Sequence, residues 1–120
     1  SVANFLGNLP SGAPIGFSSE TVTTAATLSN TTTISFISGA ATILGDGTVD
    51  GQLKIIAATG VATTTDVDFI DSAGTTATVT FQAVGESVSC IYDGTGSKWH
   101  IIAYGATGTG NNIVGTQDVT

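Results

Sequence analysis

Val79 and Phe81, then Val88, Cys90 and Tyr92, recur at every second position, and Trp99, Ile101 and Ala103 resume the period beyond Asp93-Gly94-Thr95-Gly96. Period-two alternation is the mark of a strand with one buried face. An Asp-Gly pair tolerates the positive φ angles of a short loop, so Ser87 to Tyr104 predicts a β-hairpin. Further short strands are expected at Val22–Leu28, Thr33–Ile37, Ala41–Leu44, Leu53–Thr59, Val67–Ile70 and Thr76–Gln82. With the hairpin strands Ser87–Tyr92 and Trp99–Tyr104 they predict an all-β domain, an antiparallel β-sandwich of jelly-roll type with about eight strands. No helix of useful length fits, because the Ala-rich stretch Ile56–Thr65 is broken by Gly60 and loaded with threonine. No internal repeat of fixed period is visible, which argues against a β-solenoid.

The two ends of the chain depart from this pattern. In residues 1–19 the apolar Val2, Phe5, Leu6, Leu9, Ile15 and Phe17 are scattered among Gly7, Pro10, Gly12, Pro14 and Gly16. Proline fixes φ and holds its predecessor extended, so this stretch predicts an extended arm with apolar anchors. Such an arm lies along a neighbouring surface or straps its own domain. Residues 20–105 form the expected sandwich domain. Residues 106–120, opening with Gly105-Ala106-Thr107-Gly108-Thr109-Gly110-Asn111-Asn112 and continuing through Ile113, Val114 and Val119, are expected to be a flexible tail or one ordered by a partner.

Composition narrows the function more than the fold. Only 9% of the 120 residues are charged, against roughly 25% in ordinary domains, so surface polarity must come from Thr, Ser, Asn and Gly. The net charge is −7, with Lys54 and Lys98 as the only cations. Binding phosphates takes clustered Lys or Arg, which argues against nucleic acid and anionic membrane as partners. No apolar stretch approaches the ~20 residues of a membrane-spanning helix. Ser1 as first residue and the absence of methionine suit cytosolic synthesis with a trimmed initiator.

Candidate chemistry is sparse. Cys90 is the single cysteine and shares the alternating face of Val88 and Tyr92, as a small buried hydrophobe would. Gly45-Asp46-Gly47-Thr48-Val49-Asp50-Gly51 offers oxygen donors on a glycine-rich loop, and Asp66, Asp68 and Asp71 form a second acidic group. Neither has calcium-loop spacing, and Asp-Gly turns explain the first. No metal or other cofactor is expected. The only glutamates, Glu20 and Glu86, have no setting that marks a catalytic acid. His100 is the one histidine, no Gly-x-Ser-x-Gly elbow accompanies it, and the glycine-rich segment 105–110 lacks the lysine and helix of a phosphate loop. No catalytic residue is assigned. Trp99, Tyr104 and His100 remain as candidate oligomer or surface contacts, since Trp99 and His100 must point to opposite faces of one strand.

Two segments carry a resemblance. Leu44-Gly45-Asp46-Gly47-Thr48-Val49-Asp50-Gly51-Gln52-Leu53-Lys54-Ile55-Ile56 is similar to a stretch in many structural proteins of tailed-bacteriophage virions, where a Gly-Gln-x-Lys strand follows an acidic turn. Its companion runs from Val84-Gly85-Glu86-Ser87-Val88 through Tyr92-Asp93-Gly94 to Lys98-Trp99-His100-Ile101-Ile102. The resemblance covers about half the chain and implies a β-structured, homotrimeric protein on the outside of a virion. Head decoration (cement) proteins and tail-fibre domains both carry it. The compact size favours the cement type, bound to the major capsid protein on the outer head surface. Composition then nominates the arm residues Val2, Phe5, Leu6, Leu9, Pro10, Pro14, Ile15 and Phe17 for capsid contact. The alternative is a fibre or receptor-binding domain recognising host-surface glycans.

Overall fold

The computed structural model describes residue 12 and residues 14–61, 65–71, 74–105 and 114–117. The chain is all-β, with no helix among the described residues. Its strands are β1 (Ser19–Val22), β2 (Ala26–Thr27), β3 (Ile34–Ser38), β4 (Ala41–Leu44), β5 (Leu53–Gly60), β6 (Asp66–Asp71), β7 (Gly74–Thr80), β8 (Ser87–Asp93), β9 (Lys98–Gly105) and β10 (Val114–Gln117). They form two open five-stranded sheets, ordered β1-β3-β5-β8-β9 and β10-β7-β6-β4-β2, here called the first and second sheet.

The connectivity differs from the expected antiparallel jelly roll. From β1 to β6 the chain crosses from one sheet to the other after every strand, so β1, β3 and β5 stack in parallel, as do β2, β4 and β6. This is three turns of a winding coil. The β6–β7 hairpin then reverses the path, and β8, β9 and β10 add antiparallel strands. Both sheets are therefore mixed. No fixed period betrays the coil because its turns differ in length. Ser19 pairs with Ile34, 15 residues on, and Ala26 with Thr42, 16 on. Ile34 pairs with Ile55, 21 on, and Ala41 with Asp66, 25 on.

The corners between the sheets are bonded turn to turn. The Asp66 amide donates to the Ala40 carbonyl at 3.2 Å, and the Phe81 amide to Thr65 at 2.8 Å. Gly39 turns its corner with φ 62°, a left-handed conformation that favours glycine. One core lies between the sheets: Ile37, Ile56, Ala58, Val88, Cys90, Tyr92 and Trp99 face Leu44, Val67, Phe69, Ala77 and Val79.

A cation is buried at the edge of that core. Lys54, fully enclosed, alternates inward with Ile56 and Ala58. Its ammonium donates to the Ser29 carbonyl at 2.6 Å and to the Thr32 carbonyl and hydroxyl, each at 3.0 Å. The Glu20 carboxylate stands 3.7 Å away and accepts the Ser29 amide at 2.8 Å and the Ser35 hydroxyl at 2.6 Å. Burial pulls the Lys54 pKa down, and the neighbouring Glu20 partly offsets that. One polar knot thus joins β1, β3, β5 and the β2–β3 connection.

The boundaries read from sequence shift at both ends. Ser19, the last residue of the expected arm, opens β1, and the Ser18 carbonyl accepts the Thr33 and Ile34 amides at 3.1 and 3.0 Å. The expected strand Val22–Leu28 is two strands broken by a bend at Thr24 and Ala25. The tail is corrected as well. Val114–Gln117 pairs with β7, so part of it is ordered by its own domain, while 106–113 and 118–120 lie outside the described residues.

Removing the buried ammonium strands two carbonyls and a carboxylate. Lys54→Ala is expected to cost about 3–5 kcal/mol in urea unfolding, whereas Lys98→Ala, on the hairpin rim, changes stability by less than about 0.5 kcal/mol.

Candidate functional site

The two segments that carry the phage resemblance meet at the end of the stack opposite the Gly39 corner. Loop 45–52 lies against β8 and the turn at 94–97. The Gly51 amide donates to the Tyr92 carbonyl at 2.8 Å, and the Tyr92 amide returns a bond to Gln52 at 2.9 Å. Trp99 is 4% exposed; its indole N–H donates to the Gly45 carbonyl at 2.6 Å, and its ring tilts on Tyr92 with centroids 5.2 Å apart. Gly47 is required here by close approach, since a Cβ would lie 2.5 Å from the Tyr92 ring.

The acidic turn residues are consumed as backbone acceptors. Asp50 accepts the Gly94 amide at 2.9 Å, and Asp93 accepts the Thr95 and Gly96 amides, both at 3.0 Å. Asp93 also meets His100 Nε2 at 3.1 Å. The bond from Gly96 and the one from His100 hold the Asp93 carboxyl below the usual carboxylate range. The positive φ of this turn falls on Ser97, at 55°, not on its glycines. Gly94 and Gly96 are needed because a Cβ would crowd Asp50 and Asp93.

The motif's polar side chains are spent the same way. Gln52 donates to the Asn30 carbonyl at 2.6 Å and accepts the Thr48 amide at 2.7 Å, and Lys54 holds Ser29 and Thr32. Buried Glu86 accepts the Gln82 and Ala83 amides at 2.7 and 3.0 Å through one oxygen, closing the β7–β8 turn. The Gly-Gln-x-Lys and Gly-Glu-Ser sequences are therefore loop staples.

Among the other candidates, Cys90 is buried and its thiol is pushed up to about 12 by desolvation, far from a nucleophile's range. Asp66 and Asp68 do share the outward face of β6, with Val67 and Phe69 inward. Asp68 accepts the Thr78 hydroxyl at 2.7 Å. Asp66 is raised by partial burial and by the Asp68 charge. The Asp71 side chain lies outside the described ones. Among the described residues no three His, Cys, Asp or Glu side chains gather as metal ligands would.

Of the three nominated surface contacts, Trp99 is corrected: its face is the inward one, where the indole finds both a ring and a carbonyl. His100 faces outward and Tyr104 is 40% exposed, with Ile102 bared beside it near the end of β9. Of the arm candidates, Val2, Phe5, Leu6, Leu9 and Pro10 lie outside the described residues. Pro14 is exposed, and Ile15 and Phe17 are 63% and 64% exposed. Sequence reasoning missed the roles of Lys54 and Gln52, although a lysine in phase with Ile56 and Ala58 was a signal that its position is inward. No family model, curated protein or solved structure matches this chain. No helix among the described residues is long and apolar enough to cross a membrane.

Two substitutions probe these assignments. Gly47→Ala is expected to cost about 1–3 kcal/mol by overpacking and to perturb the near-ultraviolet signal of Tyr92 and Trp99. Asp66→Asn works the other way. With its folded pKa raised above the ordinary 3.8, ionised Asp66 withdraws stability as pH rises through that folded value. The variant should equal the parent below pH 3.8 and exceed it by about 0.5 kcal/mol at neutral pH, measured by thermal melts across pH.

Proposed function

We propose that this chain is a structural component of a tailed-phage virion, of the head decoration type, which assembles as a homotrimer on the outer capsid surface and braces it against internal DNA pressure. The observation that carries the reading is the exposure of Ile15 and Phe17 at the foot of the arm. A strap across its own core would bury such residues. Each large apolar side chain fully withdrawn from water contributes about 1.5–3 kcal/mol, and this domain leaves that contribution to another surface. The arm has no charged side chain, so it can enter a joint between subunits without stranding a buried ion. The proposal draws further support from the consumption of the resemblance motif's polar groups within the fold. A part that bears load needs fastened loops, and repeated symmetric attachment multiplies modest contacts into high avidity.

A second reading rests on the accessible His100, Ile102 and Tyr104 of β9. An accessible aromatic ring suits glycan stacking by a fibre or receptor-binding domain, although His100, paired with Ile91, and Tyr104, paired with Val88, lie on opposite faces of β9.

Deletion of residues 1–17 tests the first reading while sparing Ser18, which the fold uses. The truncated domain is expected to keep its near-ultraviolet spectrum and to lose co-sedimentation with empty phage shells. A truncated chain that still saturates shells removes the arm from the mechanism. A glycan-array signal without shell affinity transfers the function to β9.

A further inference from the structure

The outer faces of the two sheets are chemically unlike. Outward positions of the second sheet carry Thr27, Ala41, Ile43, Asp66, Asp68, Ile70, Thr78 and Thr80, apolar residues interspersed with charged and hydroxyl ones. The first sheet presents instead two apolar rows fixed by strand register. One runs Ser19, Ile34, Ile55, Ser89, Ala103; the other runs Thr21, Phe36, Ala57, Ser87, Gly105; and Leu53 with Ile91 extends them toward His100. These side chains alternate with core residues, so they point away from the core. β3 and β5 consequently carry apolar side chains on both faces, beside the inward Ser35 and Lys54, as strands covered on both sides do, yet among the described residues only one face is covered.

We infer that the outer face of the first sheet is the surface on which a second copy of this chain docks. Charge selects a copy. The chain carries −7 overall, and the acidic loop 45–50 and the Asp66–Asp68 face would repel their own images. The first sheet has no ionisable side chain on its outward face until Asp93, Lys98 and His100 at its margin, so two copies meet there without opposing carboxylates. Shape agrees, because a pleated sheet face packs best on another such face. Strands of 4, 5, 8, 7 and 8 residues at ~3.3 Å per residue and ~4.8 Å apart give a face on the order of 500 Å², somewhat below the ~800 Å² that each partner buries in a standard stable interface. The inference rests on the self-assembly part of the proposed function and names its surface, whereas the capsid contact uses the arm.

Sedimentation equilibrium of the full chain at micromolar concentration tests it. The wild type is expected at a multiple of its 11.9 kDa mass. Ile55→Lys, at the centre of the face, should be monomeric, while Ile43→Lys, on the outer face of the second sheet, should assemble like the parent. Protection of Cys90 from a thiol reagent reports that each variant is folded. If Ile55→Lys exposes Cys90, Ile55→Thr decides, since it keeps β-propensity and should weaken association at least about tenfold. A monomeric wild type, or a folded Ile55 variant assembling as tightly as the parent, overturns the inference. So does assembly that survives Ile55→Lys but is lost with residues 1–17, which assigns the contact to the arm. A monomer that co-sediments with shells sinks this inference and the homotrimer but leaves the arm's capsid contact standing, and an oligomer that ignores shells sinks only the capsid contact.

Discussion

A parallel-wound coil must satisfy the backbone of its crossover connections, and in the β2–β3 connection that task falls on one ammonium group. Antiparallel strands can be joined by turns that bond to themselves, but each crossing between sheets leaves carbonyls facing the interior. Lys54 supplies three donors at that point, to Ser29 and to both oxygens of Thr32, and Glu20 fixes the same connection from the opposite side. Because Glu20, Ser35 and Lys54 sit on β1, β3 and β5, the knot spans three successive turns of the coil. Burying a charge is unfavourable in isolation, and the geometry repays it only when every proton finds an acceptor. All three do.

The same economy governs the turns at both ends of the stack. In a chain with so few ionisable groups, almost every carboxylate described there is engaged in closing a turn. Asp50 and Asp93 hold the amides of the β8–β9 turn, Glu86 holds those of the β7–β8 turn, and Trp99 anchors loop 45–52 through its indole. The Asp50 and Trp99 bonds join residues 44 and 54 positions apart in sequence, so loop 45–52 is fixed by tertiary contact, whereas Asp93 and Glu86 close their turns locally. The product is a scaffold with closed ends, an apolar outer face on one sheet and apolar residues bared at the foot of an arm.

Some of this was legible in the chain. Alternation places Val67 and Phe69 inward, Asp66 and Asp68 outward, and the hairpin from Ser87 to Tyr104 almost to the residue, because side-chain parity on a strand is local geometry. Ala41–Leu44 is found with the expected bounds. Burial of Cys90 followed from the same parity. The terminal elements were less legible. Ser19–Val22 and Val114–Gln117 are short, and their status as strands depends on partners 15 or more residues distant.

The sequence by itself determined that the chain is β-structured, which side chains of each strand share a face, and that its cationic side chains are only Lys54 and Lys98. Tertiary structure alone decided that β1 to β6 wind in parallel. Unequal turns of 15 to 25 residues hide a coil that only hydrogen-bond register reveals. It also decided which face of β9 takes Trp99. Parity says that Trp99 and His100 diverge but not which of them meets the core, and the choice goes to the side where an indole finds both an aromatic ring and a free carbonyl.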